Sequence, residues 1–203
     1  MSPFVYQFPR TGGSPIGYSP RVSEPEKKPK KPSSNAYCGS CGTPYPPNAG
    51  WPRTCAACGV TAYRNPLPVA VALLPVTDAG GRALVVITRT IEPMRGGVAL
   101  PGGFIDHREA WQHALVRELR EETGIEAAEE DVRLADTLSS PDGHLLVFGL
   151  LPERPADHLP PPTPTDETTG WHLLRAPEEL AFPLHTKAAR SWFADHYNTA
   201  PRP

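Results

Sequence analysis

The stretch "GGFIDHREAWQHALVRELREETGI", residues 102–125, constrains the fold more than any other part of the chain. Trp111, Ala114, Leu115 and Leu119 recur at spacings of three and four, the period of a helix with one buried stripe. Gly124 stands where a left-handed C-cap would close the last turn. On this helix Glu118, Glu121 and Glu122 fall at i, i+3 and i+4, so they share a face apart from the apolar stripe. Like charges so spaced cost about 0.2–0.5 kcal/mol per pair. Glu121 and Glu122 also lie near the helix C-terminus, whose dipole disfavours anions. The arrangement is poor for stability and points to a cation that the sequence does not contain. A solvated acidic face is the plainer reading, but it leaves the wider spacing unexplained.

That spacing runs from Gly103 through five residues to Glu109, through seven more to Arg117-Glu118-Leu119, and on to Glu121-Glu122 and Gly124-Ile125. With all of these positions filled, the chain resembles the Nudix hydrolase family over residues 65–203. The resemblance implies an α/β fold, the Nudix α/β/α sandwich with a mixed β-sheet. It also implies hydrolysis of the pyrophosphate bridge in a nucleoside diphosphate linked to another group, with magnesium or manganese. Such hard cations take oxygen ligands and activate a bound water beside an anionic phosphate. By resemblance Glu118, Glu121 and Glu122 are the ligands, with backbone carbonyls at Gly102 or Gly103. Arg117 is placed to orient Glu118, and Glu109 to hold Arg117. Two carboxylates compete for the role of base, Glu118 and Glu167; the latter precedes Trp171 by a shorter interval than the family's pattern leads one to expect.

Ahead of this domain all four cysteines fall in one segment, residues 36–64, as Cys38-x2-Cys41 and Cys55-x2-Cys58. Two such pairs with none left over make a closed four-thiolate zinc site of the zinc-ribbon type, structural because no ligand position is open. Gly42 and Gly59 follow the second cysteine of each pair, where knuckle turns favour glycine. Two disulfides are the rival reading, disfavoured in a reducing cytosol. Residues 1–35 carry seven prolines and a lysine run, and they read as an extended tail in which Phe4, Tyr6 and Phe8 alternate like an edge strand. With a net charge of −2, no general nucleic-acid field is expected. No apolar run reaches membrane-spanning length and no leader is evident, so the expectation is a cytoplasmic protein without a membrane partner.

Strands are expected over residues 69–76, ending near Pro75, and at "ALVVITR", "VRLADTLSS", "HLLVFGLLP" and "GWHLL", with a proline-rich loop over residues 153–165 and a final helix over residues 186–197. Trp111 is expected in the core.

Zinc ribbon and Nudix box together resemble the NADH pyrophosphatases and shorter enzymes acting on FAD or ADP-ribose. Tyr63, five residues after Cys58, matches a substrate-touching tyrosine of that group; stacking on a base and packing between domains both fit it. The glutamine-proline-tryptophan segment that marks NADH pyrophosphatases is missing, and "SSPDGHLLVF" stands in its place. His144 in that segment is a candidate substrate contact or a surface histidine, and Arg89 and Arg95 are candidates for phosphate or for solvent. Val98 replaces a tryptophan common before the Leu-Pro-Gly turn. The expected substrate is NADH or NAD, FAD or ADP-ribose, cleaved to AMP and a second monophosphate. The alternatives are a nucleotide-sensing or RNA-binding protein without turnover, and removal of a dinucleotide cap from RNA. Relatives of this kind are often homodimers, and the resemblance extends that expectation to this chain.

Overall fold

A computed structural model of the protein describes residues 35–197. The expected tail and its Phe4-Tyr6-Phe8 alternation lie outside the described residues. The chain divides into two compact units, one ending at Tyr63 and one starting at Arg64.

The first unit is built on two matching turns. The Cys38 amide donates to Thr43 and the Gly42 amide to Cys38, while the Cys55 amide donates to Val60 and the Gly59 amide to Cys55, all at 2.8–2.9 Å. Gly42 and Gly59 have φ of 74° and 72°, the left-handed conformation these turns demand. A short antiparallel ladder, β1 (Arg53–Thr54) with β2 (Thr61–Ala62), joins the second turn to itself. Arg53 donates to the carbonyls of Asn35, Ala49 and Gly50, and its guanidinium lies 4.4 Å from the Trp51 ring centre.

The second unit has two sheets. One runs β7 (Gly102–Phe104), β3 (Leu67–Leu73), β9 (His144–Leu150), β8 (Arg133–Ser139), with β3 and β9 parallel. The other runs β10 (Arg154–Pro155), β4 (Pro75–Asp78), β5 (Gly81–Arg89), β11 (Thr168–Leu174), and β6 (Val98–Ala99) also pairs with β5. Alternation along the central strands divides the core in two. Val71, Leu73, Leu84 and Val86 pack with Phe148 and Trp192 on the side of α2 (Pro183–Phe193). Ala70, Ala72, Ala83 and Val85 pack with Leu115 and Leu119 on the side of α1 (Trp111–Thr123). Strands covered on both faces read as unbroken apolar runs, which is why "VAVALL" and "ALVVI" show no alternation. This is the mixed α/β/α sandwich. No helix among the described residues is long and apolar enough to cross a membrane.

Several sequence expectations need correction. The run over residues 69–76 is not one strand: it breaks at Leu74, so β3 and β4 belong to different sheets. Pro75 has no amide to continue the β3 ladder, while the Leu74 carbonyl accepts from Val85 at 3.0 Å. The final helix starts at Pro183, whose fixed φ suits a first-turn position, and ends at Phe193 with turns to Tyr197. The loop over residues 153–165 contains β10 and a single 3₁₀ turn, Ala156–His158. Trp111 is only partly buried, at the rim of the α1 core.

Candidate functional site

The site forms where α1 meets β7. The turn "ALPGG" leaves β6, and the Pro101 carbonyl accepts from the Ala72 amide at 2.8 Å, which lays β7 against β3. At Gly102 φ is 157°, and a Cβ there would stand 2.8 Å from Val71 Cα. At Gly103 a Cβ would run into the Glu118 carboxylate, with Oε2 2.6 Å away. Glycine is therefore required twice, once by strand packing and once by the carboxylate seated on the backbone.

The Gly102 amide donates to Glu122 Oε2 at 2.9 Å. Glu122 is buried, 4% exposed, and desolvation pushes its carboxyl up to about 8. Burial also raises Glu118, against the opposing pull of Arg117. Glu167, just ahead of β11, adds negative potential at both Glu118 and Glu122, while Arg89 acts on Glu122 in the opposite sense. Glu121 is the outer member of the group, half-exposed, 3.3 Å from Arg117. Of the residues singled out in the sequence, Gly102, Gly103, Glu118, Glu122 and Arg117 therefore converge, with Glu121 and Glu167 beside them.

Arg117 is held on all sides. Its Nε and Nη2 donate to the two oxygens of Glu109 at 2.8 and 3.0 Å, its Nη1 to Glu118 Oε1 at 2.7 Å, and its Nη2 to the Phe104 carbonyl at 3.0 Å. The paired guanidinium keeps the Glu109 carboxyl low, at about 2. Arg117 thus has no donor geometry left for a substrate, and its contacts fix the Glu118 rotamer.

Four further candidates were singled out in the sequence. Arg89 donates to the Pro93 carbonyl at 2.9 Å and lies 5.3 Å from the Phe182 ring centre. His144 is half-buried, its Nδ1 3.1 Å from Asp142 and its ring 5.9 Å from that of Phe104. Tyr63 is 68% exposed at the end of the first unit. Arg95 is exposed. Sequence reasoning passed over Phe104 and His185. Phe104, 54% exposed, directly follows Gly103 and presents a largely uncovered aromatic ring, 5.9 Å from that of His144. His185 is fully enclosed in α2 and accepts the Leu100 amide at 3.2 Å, tying the helix to the turn that precedes Gly102. Burial holds its imidazole down, at about 3, so it is neutral there.

The donor set fits a hard divalent cation: oxygen atoms only, more carboxylate charge than Arg117 balances, and two of the carboxyls pushed up by burial for want of positive charge. In the first unit the four cysteine Sγ atoms lie within 4.8 Å of one another, the nearest pairs at 3.6 and 3.7 Å. None is in a disulfide. A tetrahedral zinc with ~2.3 Å bonds sets sulfur atoms ~3.8 Å apart, so this cluster fits zinc. The backbone amides of Cys41 and Ser40 hold the Cys38 thiol down, at about 6, which favours the thiolate a metal needs.

The NUDIX domain model matches residues 66–196, and the chain belongs to that family. It is 26% identical over 163 residues to the NAD-capped RNA hydrolase NudC of Stutzerimonas stutzeri, covering 78% of this chain and 54% of that protein. It is 38% identical over 88 residues to the ADP-ribose pyrophosphatase of Methanocaldococcus jannaschii, covering 41% of this chain and 50% of that protein. The chain thus spans about half the length of these curated relatives. The crystal structure of a NUDIX hydrolase from Nitrosomonas europaea shares the fold with a TM-score of 0.62 at 21% identity, over 81% of this chain and 94% of that one.

Proposed function

We propose that the protein is a divalent-metal-dependent pyrophosphohydrolase that cleaves the pyrophosphate bridge of a dinucleotide-type substrate, releasing AMP and a second monophosphate. One observation carries the reading: Glu118, partly buried against Gly103, and Glu122, buried on the Gly102 amide, with Glu167 in electrostatic range of both. In this reading Glu118, Glu121 and Glu122, with a carbonyl of Gly102 or Gly103, hold magnesium or manganese. When bound, the ion neutralises phosphate charge and lowers the pKa of a water. Arg117 keeps Glu118 in place, and Glu118 or Glu167 takes the proton of the attacking water. Arg89 lends positive potential to a phosphate. Phe104 and His144 offer rings to a base, and Tyr63 is a further candidate for that contact. Zinc at Cys38, Cys41, Cys55 and Cys58 holds the first unit together. Four free thiols suit the cytosol as its compartment.

NAD is the substrate we favour, free or as the cap of an RNA, because the similarity to NudC covers 78% of this chain, more than the second unit alone, with ADP-ribose and FAD as competitors. The test measures cleavage of NADH, NAD, FAD, ADP-ribose and an NAD-capped oligonucleotide with magnesium or manganese, using wild type and Glu122→Gln. Metal-dependent release of AMP from the free substrates, or of nicotinamide mononucleotide from the capped oligonucleotide, abolished in the variant and highest for the NAD forms, supports the reading. Tight binding without turnover on any of them would replace it with a sensor.

A further inference from the structure

Two hydroxyls at the approach to β11, those of Thr165 and Thr168, are not used by the proposed chemistry. Thr168 is completely buried, and its Oγ1 donates to the main-chain carbonyl of Glu122 at 2.9 Å. Glu122 sits in the last turn of α1, beyond which Gly124 turns left-handed, so that carbonyl has no helical amide to accept from. A helix-end carbonyl therefore takes its partner from a strand 46 residues away in sequence.

The protons around Thr168 close in one direction. Thr165 Oγ1 accepts from the amides of Glu167 and Thr168 at 3.3 and 3.1 Å. Its own proton goes to Thr168 Oγ1, 3.3 Å away, because the single proton of Thr168 is committed to Glu122. Thr168 Oγ1 accepts in addition from the Gly170 amide at 3.2 Å. From the other side Thr90, beyond the end of β5, donates its amide to the Glu167 carbonyl at 2.8 Å and its hydroxyl to the Asp166 carbonyl at 2.9 Å. The backbone of Glu167 is thus gripped at both its amide and its carbonyl, although its side chain is exposed. The β11–β5 register is irregular between Thr168 and Trp171, the kind of bulge that re-aims a side chain next to a site.

We propose that the Thr165–Thr168 hydroxyl pair is a positioning device that couples the backbone of Glu167 to the carbonyl of Glu122, so that the carboxylate just ahead of β11 and those of α1 keep one separation across the site. The inference rests on the reading above, in which Glu167 serves the reaction with Glu118 and Glu122. Neither threonine touches the reacting atoms.

Thr168→Val removes the hydroxyl while keeping a branched side chain. Misplacing a reacting group by about 1 Å costs up to ~100-fold, so kcat falls about 10- to 100-fold while KM changes by less than about twofold. Thr168→Ser, which restores the donor, returns kcat to within about threefold of wild type. The decisive comparison is the double variant. If Thr168 acts through Glu167, then Glu167→Gln with Thr168→Val is no slower than Glu167→Gln alone, within about threefold; multiplying losses would overturn the proposal. Thr90→Val strikes the same segment from its less buried side, and shows the same non-additivity where Thr168→Val does not fold. Amide hydrogen exchange at Glu167 and Thr168, measured without metal or nucleotide, separates this inference from the catalytic reading. Exchange faster by about tenfold in Thr168→Val supports the coupling even where no substrate is turned over, and unchanged exchange overturns it whatever the turnover.

Discussion

Replacing Glu109 with glutamine removes one charge from the most enclosed ion pair among the described residues. Glu109 and Arg117 have side chains only 10% and 20% exposed, and they meet through two hydrogen bonds at 2.8 and 3.0 Å. After the substitution Arg117 keeps Glu118 and the Phe104 carbonyl but loses its bidentate partner. Breaking a buried pair by removing one charge costs about 3–5 kcal/mol, and the partial exposure of Arg117 puts the expected loss at the lower end, about 3 kcal/mol. For a unit of this size that is a fall in Tm of roughly 6–12 °C. The same pair sets an acid sensitivity. The Glu109 carboxyl lies at about 2 in the folded protein, below its ordinary value of 4.5. Its contribution is therefore complete above about pH 4.5 and is lost as the pH falls toward 2. Thermal unfolding of wild type and Glu109→Gln, followed from pH 7 to pH 3 without added divalent cation, should show the two curves converging below about pH 4. A Tm within about 1 °C of wild type at pH 7, or a gap that persists unchanged into acid, would refute the assignment of Glu109 as the anchor of Arg117.

Gly103→Ala places a methyl group against the end of the flexible Glu118 side chain. The protein should fold with a Tm within about 3 °C of wild type, yet lose roughly 100-fold in kcat; equal losses of stability and activity would contradict the seating of Glu118 on Gly103. His185, neutral in the fold at about 3, titrates near 6.5 once unfolded. Stability should therefore be complete above about pH 6.5 and decline below it by up to ~1.4 kcal/mol per pH unit. His185→Gln should flatten that decline in denaturant titrations at pH 6 and pH 5. Cys55→Ser should reduce bound zinc, measured by elemental analysis of the purified protein, to a small fraction of one equivalent. Retention of a full equivalent would refute the four-thiolate site.

The parts of this architecture legible in the sequence are those with a fixed spacing. The α1 stripe, its Gly124 cap and the two Cys-x2-Cys turns are local patterns, set by helix period or by ligand spacing, and they appear in the structure where the pattern puts them. The break at Leu74 was hidden because Leu73, Leu74 and Val76 are all completely buried, so hydrophobicity is uniform across a change of sheet. The start of α2 was displaced: Thr186, where the helix was expected to begin, lies within its first turn, and its hydroxyl accepts the Leu180 amide at 2.9 Å, a partner ahead of the helix. His185, Thr168 and Thr90 gave no signal, since their partners Leu100, Glu122 and Glu167 lie far off in sequence and meet them only after folding. Phe104 differs again: it adjoins a conspicuous motif, but its exposure depends on what the sheet leaves uncovered.

In the proposed function the carboxylates of α1 hold a divalent cation against a pyrophosphate. The most direct measurement is the rate of AMP release from NAD under saturating manganese for wild type and for Glu118→Gln, Glu122→Gln and Glu167→Gln, each checked for fold. The wild-type rate should depend on metal and fall by at least about 100-fold in the Glu118 and Glu122 variants. A rate independent of metal, or retained when Glu122 is neutralised, would contradict the proposed function.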